Sequence, residues 1–263
     1  MPESILAAFQ QDQYRLDNLQ ARIYEPKTRD QWPADFLGQV YLKLRGDRFS
    51  NRRPNGTGIL EVGFCGMADV SFDAIVAYLC NRPLIVMGVW EEVEEDQWDD
   101  DGNALDPKIV TRFREAGIAF PTTLIGEAYP DRSGFFGYLF FPEFWGDERM
   151  ELLGLLGLTA IFVEFKLAFL HGVRYRDNWQ TVQFVKKYGF RDDGTIEGYM
   201  LRRGKLVSAV ASTLSRPDFE AYVENALLEG RDAQPEPAVP EPVAQPEPEP
   251  ESLPLFDGIP RFR

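Results

Sequence analysis

Residues 135–163 read FFGYLFFPEFWGDERMELLGLLGLTAIFV. The segment changes character half-way along. Residues 135–144 are rich in aromatic side chains that suit a pleated strand. Residues 147–163 contain no proline and are largely apolar, and Asp147 and Glu148 stand where a helix favours negative charge at its amino terminus. The apolar part, residues 152–163, is shorter than the ~20 residues needed to cross a bilayer. It is also interrupted by Gly154 and Gly157.

Working outward, the pattern predicts a strand over 166–175, a helix over 179–188, a hairpin of 198–202 and 205–212 turning at Arg203-Gly204, and a last helix over 218–228. Upstream, 59–64 and 84–90 read as strands. Between them Ser71 caps a helix running to 81, with Phe72, Ile75, Val76, Tyr78 and Leu79 as its apolar residues. An acidic stretch at 91–106 precedes a short helix at 109–116 and a strand at 121–129. Strands alternating with helices and closed by hairpins give a mixed α/β (α+β) sheet. At the amino terminus, Ile5, Phe9, Leu16, Leu19 and Ile23 recur at helical spacing and predict a helix over 4–23. A strand-like piece follows at 39–44. Three parts result: an N-terminal helical and irregular extension over 1–57, a main domain over 58–230, and a Pro/Glu-rich tail over 231–263. The tail cannot bury enough apolar surface to offset its ordering entropy and reads as disordered.

With 44% hydrophobic residues in a chain of 263, there is material for one substantial core. The net charge of −14 disfavours binding to a phosphate backbone. Two cysteines, Cys65 and Cys80, read as reduced core residues and offer no thiolate metal site. Asp99-Asp100-Asp101-Gly102-Asn103 has the oxygen donors of a calcium loop without its spacing, and reads as a solvated acidic loop. The start, Met1-Pro2-Glu3-Ser4, lacks the basic and apolar regions of a signal peptide, so the expected location is cytoplasmic.

Three stretches together resemble the GNAT superfamily of N-acetyltransferases. The first is the order of elements over residues 59–218. The second is Phe141-Pro142-Glu143-Phe144-Trp145-Gly146, similar to the family's hydrophobic-x-Pro-Glu-Tyr-Arg-Gly run. The third is Asn178 with Thr181, Phe184 and Gly189-Phe190, which matches the family's Asn-x-x-Ala/Ser…Gly-Phe helix. Ala68-Asp69 is also similar to the family's first strand-to-helix turn. The resemblance implies a mostly antiparallel central sheet flanked by helices, and acetyl-CoA as cofactor. A splayed strand would hold its pantetheine arm through Phe140 and Phe141. Amides at Trp145, Gly146 and Asp147, with Asn178, would hold the rest. An amine acceptor, on a small molecule or a protein, is implied with it. Two positions depart from the family. Glu148 and Met150 replace the turn glycines, so Asp147 and Glu148 place carboxylates where a pyrophosphate would sit. Val185 stands where many members carry a catalytic tyrosine.

If the site is catalytic, Glu127 and Glu143 are the candidate bases, and Tyr138 or Tyr188 the candidate acid. The same glutamates also read as solvated strand and turn residues, and the tyrosines as packing. His171, the one histidine, reads either as a proton-transfer group or as a core histidine with a hydrogen-bonded ring. Two non-catalytic readings stand beside the enzyme. One is a degenerate GNAT-like binding or structural protein, of the kind associated with phage virions. The other is an adaptor whose Leu253-Pro254-Leu255-Phe256 tail, similar to sliding-clamp peptides, docks a partner or else folds back on the domain.

Overall fold

The computed structural model describes residues 6, 13–45, 72–98, 104–144, 146, 148–176, 178–202 and 205–232. The strand expected at 59–64, the Ala68-Asp69 turn, Cys65, the acidic loop 99–103, Trp145, Asp147 and the tail from 233 lie outside the described residues.

Eight strands form one sheet in the order β1-β2-β3-β4-β5-β6-β8-β7. They are β1 (Arg15–Leu16), β2 (Leu19–Tyr24), β3 (Leu84–Trp98), β4 (Ala104–Ile125), β5 (Ser133–Phe140), β6 (Phe169–Tyr175), β7 (Arg191–Arg202) and β8 (Lys205–Ser215). Every neighbouring pair is antiparallel except β5 and β6, which are parallel. The helices are α1 (Phe36–Arg45), α2 (Phe72–Cys80), α3 (Arg149–Glu164), α4 (Trp179–Lys187) and α5 (Arg216–Asp232). None of the described helices is long and apolar enough to cross a membrane.

Ring contacts show which face each helix covers. Tyr78 of α2 packs edge-on against Phe120 of β4, and Phe36 of α1 against Tyr24 of β2. On the opposite face Phe184 of α4 lies 4.8 Å from Tyr138 of β5, and Phe219 of α5 stacks on Phe162 of α3. The core thus fills both sides of the sheet. Leu84, Ile85, Val86 and Met87 are all fully buried in consecutive positions, which only a strand covered on both faces permits.

Three local expectations give way to tertiary pairing. Residues 15–24 are a hairpin, not the carboxyl half of a helix over 4–23. Leu16 pairs with Leu19 across Asp17-Asn18, with Asp17 at φ 52°. Leu16, Leu19 and Ile23 fit a helical repeat equally well, and six register pairs from β2 to β3 decide the matter. Conversely, the strand-like 39–44 belongs to helix α1, whose buried Phe36, Leu37 and Val40 share one helical face. The short helix expected at 109–116 is strand, because Ile109 to Glu115 pair residue by residue with β3. The acidic stretch after residue 90 is therefore largely the outer half of β3, in a long β3–β4 ribbon. The sheet begins with β1 and β2, within the segment read as an N-terminal extension.

Helix α3 is buried from Leu153 to Phe162, and its two glycines are steric requirements. A Cβ on Gly154 would lie 2.2 Å from the Tyr188 hydroxyl, and one on Gly157 would lie 2.5 Å from both the Met87 sulfur and the Tyr138 hydroxyl. Replacing an interior helical glycine with alanine normally gains ~1 kcal/mol. Here overpacking, at about 1–3 kcal/mol, opposes that gain. Gly154→Ala should therefore lose stability in urea titrations. Combined with Tyr188→Phe, which deletes the clashing oxygen, it should cost less than the sum of the two single changes. Strictly additive costs would show that the clash is relieved elsewhere.

Candidate active site

β5 and β6 run side by side in the same direction, yet they pair only through Ser133↔Phe169, Gly134↔Leu170 and Phe135↔His171. Beyond these pairs each strand follows its outer neighbour. β5 stays with β4 to Gly117↔Phe140, and β6 stays with β8 to Tyr175↔Ala209. The two strands part, leaving a wedge closed at Phe135 and His171. Its open end lies where β5 leads into α3 and β6 leads into α4. Gly172, the first β6 residue past the last pair, borders open space, since a Cβ built there meets nothing within 4 Å.

A cavity of about 1260 Å³ occupies this wedge. That exceeds the ~300–1,000 Å³ of most small-ligand pockets and suits an extended ligand. Phe136, Tyr138 and Phe140 line it from β5, Gly146 and Glu148 from the turn before α3, and Asn178 and Thr181 from the start of α4. Gly146, at φ 87°, has the left-handed backbone that glycine tolerates best. The Asn178 side-chain amide donates to Thr181 Oγ1 at 2.7 Å, which fixes its orientation. Its carbonyl oxygen has no partner among the described residues and can accept from a ligand N–H.

The remaining sequence-predicted residues are placed as follows. Tyr138 lines the cavity, but its hydroxyl lies 3.2 Å from the Gly154 carbonyl oxygen, to which it donates, and 2.8 Å from the Met87 sulfur. Burial raises its pKa well above the ordinary phenol value. Tyr188 is held likewise, donating to the Glu151 carbonyl at 2.6 Å, with its pKa raised chiefly by burial. Phe140 lines the cavity, whereas Phe141 is fully buried in the core beside it and does not. Glu127, on the turn after β4, and Glu143, on the 3-10 turn after β5, are exposed and stand outside the cavity lining. Val185 is buried at the tyrosine position and lines the cavity. Glu148 occupies the N-cap position of α3 without a side-chain capping bond, so the expected capping role is not realised.

The structure adds residues that the sequence reading missed. Arg174 lines the cavity with a side chain only 7% exposed, and Nη2 donates to both Asp192 oxygens at 2.8 Å. The Ser212 hydroxyl donates to the same carboxylate at 2.7 Å. That bond first, and Arg174 second, hold Asp192 below the usual carboxylate range. Nε and Nη1 of Arg174 are buried without a partner among the described residues. An arginine inside a predicted strand was the available signal, but its pairing depends on β6, β7 and β8 meeting. Lys186 and Lys187, in the last turn of α4, also line the cavity. At the closed end, His171 Nδ1 lies 2.8 Å from Thr213 Oγ1, and the Thr213 hydroxyl donates to Asp193. Burial lowers the His171 pKa and the nearby Asp193 charge partly offsets this, so the ring is neutral at pH 7.

No protein-family model and no curated protein sequence matches the chain. Solved structures do. Spermidine N-acetyltransferase from Vibrio cholerae, in complex with CoA and spermine, superposes with a TM-score of 0.50 at 16% identity, covering 78% of this chain and 99% of that one. RimJ from Mycobacterium smegmatis, in complex with a CoA-disulfide, is similar at a TM-score of 0.45 and 12% identity, covering 79% and 88%. The mixed sheet, its single parted parallel pair and the flanking helices give this chain the fold of the GNAT N-acetyltransferases.

Proposed function

We propose that the chain binds acetyl-CoA in the wedge between β5 and β6 and transfers the acetyl group to a primary amine. The observation that carries this reading is the parting of β5 and β6 into a cavity running from the α3 and α4 amino termini to Phe135 and His171. A pantetheine arm laid in the wedge can bond the edges of both strands, as an added strand does. Its pyrophosphate end would lie by Gly146, where amides at a helix amino terminus favour anions. Asn178 would accept from a pantetheine amide. Trp145, Asp147 and Phe141 complete the proposed cofactor contacts, Phe141 as packing behind the strand. Lys186 adds positive charge beside the cavity, while Arg174 and Lys187 are paired with Asp192 and Glu151. For the acceptor, the net charge of −14 favours a cationic amine, in keeping with the spermine bound by the Vibrio cholerae neighbour.

A second reading, a GNAT-fold protein that binds without catalysing, is favoured by one feature. The two phenols on the cavity, Tyr138 and Tyr188, already donate to backbone carbonyls, and Val185 offers no hydroxyl. The tail segment Leu253–Phe256 would serve either reading as a docking peptide for a protein partner.

Thermal denaturation with acetyl-CoA, CoA and desulfo-CoA tests the cofactor. Ligand at about 100 times its dissociation constant adds ~2.7 kcal/mol. For a chain of this size that is a rise in Tm of roughly 5–10 °C. Thiol release from acetyl-CoA across a panel of primary amines then separates the two readings. No shift at millimolar ligand would overturn both the cofactor and the enzyme. Glu148→Gln should tighten CoA binding by roughly three- to tenfold at low salt, because it removes one charge beside the phosphates. An unchanged affinity would place the pyrophosphate elsewhere.

A further inference from the structure

We propose that His171 is the general base of the transfer, set in its working tautomer by a hydrogen-bond chain through Thr213 to Asp193. The assignment rests on the acetyltransferase reading above, and three observations meet in it. His171 lies on the cavity and is the last β6 residue to pair with β5, so it stands at the closed end of the wedge. A pantetheine arm entering from the open end brings its thioester to that end. The second observation is the direction of the hydrogen bonds. A threonine hydroxyl has one proton, and Thr213 gives it to the Asp193 carboxylate. Thr213 Oγ1 can then only accept from the ring, so the 2.8 Å contact requires the proton on Nδ1. The lone pair is left on Nε2, which has no hydrogen-bond partner among the described residues. This is the tautomer less favoured by a free imidazole, and here the chain selects it. The third observation is the ring's setting. The Phe135 ring lies against it at 5.0 Å and that of Phe169 at 6.5 Å, so rotation is restricted.

The charged groups around the ring come from β7: Asp193, and Arg191, whose Nε lies 3.4 Å from Asp193. β5 and β8 present the uncharged Phe135 and Thr213. Burial keeps the ring neutral and ready to accept a proton at pH 7, while Asp193 steadies the imidazolium once it forms. In the step itself, Nε2 takes one proton from the acceptor ammonium. The freed amine nitrogen attacks the thioester carbonyl carbon, the C–N bond forms, and the C–S bond breaks. The nitrogen loses its second proton and the departing thiolate gains one, so the products are the amide, CoA thiol and a protonated base that returns its proton to water. Thr213 and Asp193 touch no reacting atom and are positioning residues.

Because His171 is the one histidine in the chain, its imidazole can be read without ambiguity in the full-length protein. Nitrogen-15 correlation spectra should show the Nδ1–H tautomer. Thr213→Val should move the ring toward Nε2–H. Asp193→Asn should lower the His171 pKa, since the Asp193 charge raises it. Carbethoxylation by diethyl pyrocarbonate should occur at His171 and be slowed by saturating CoA. With any amine that supports thiol release, His171→Gln should lose about 10²–10⁴-fold in kcat while acetyl-CoA affinity is kept. An Nε2–H tautomer in the unaltered protein would overturn the relay whether or not a cofactor binds. Modification indifferent to CoA, in protein that CoA measurably stabilises, would remove His171 from the thioester. A kcat loss under threefold would do the same. Absence of any CoA stabilisation would instead count against the acetyltransferase reading, with the tautomer still deciding the hydrogen-bond chain.

Discussion

Only three residue pairs hold β5 to β6, and what the cleft can do depends on their ending at Phe135 and His171. A parallel sheet would ordinarily continue that ladder. Here β4 and β8 each claim the far side of one strand, and the near sides are left facing a gap. Backbone groups along that gap need partners, because a buried amide or carbonyl without one is costly. The same parting directs the amino termini of α3 and α4 to the open end and leaves the narrow end to a histidine. The gap itself, the helix termini at its open end and the histidine at its narrow end are therefore consequences of one interrupted ladder.

Charges of both signs line the cavity. Glu148 stands on the cavity beside Gly146, and Glu151 one turn on pairs with Lys187. Opposing them are Arg174 from β6 and Lys186 from α4. Arg174 is the informative member, since burying a guanidinium is expensive even with a bidentate carboxylate. Its Nε and Nη1 have no partner among the described residues.

Legibility varied with the kind of signal. α2, α3 and α4 were readable to within two or three residues because buried apolar periodicity and local breakers define them. The β7–β8 hairpin, paired to Arg202↔Lys205, was readable from its two strand patterns, though both strands run further than those patterns show. Misreadings occurred where one pattern satisfies two periods. Leu16, Leu19 and Ile23 fit a helix as well as a strand, and Val40 with its neighbours fits a strand as well as a helix. Asn178, Phe140 and Gly146, read from motif position, and Tyr138, read as a candidate acid in the aromatic strand, line the cavity. Glu127 and Glu143 were chosen as strand-end carboxylates, but the strands end short of them and both face solvent.

The sequence by itself determined the α/β composition, the buried helix after the aromatic strand, and the Asn178 to Phe190 helix, because each depends on residues near one another in the chain. Tertiary structure alone decided that β1 and β2 open the sheet and that β5 and β6 part after three pairs. It also decided that His171, Thr213 and Asp193 form one chain, and that Arg174 meets Asp192 beneath the cleft. Each of these joins strands far apart in sequence or depends on a hydrogen-bond direction. Register between such strands is set by the packing of the whole core and leaves no local pattern to read.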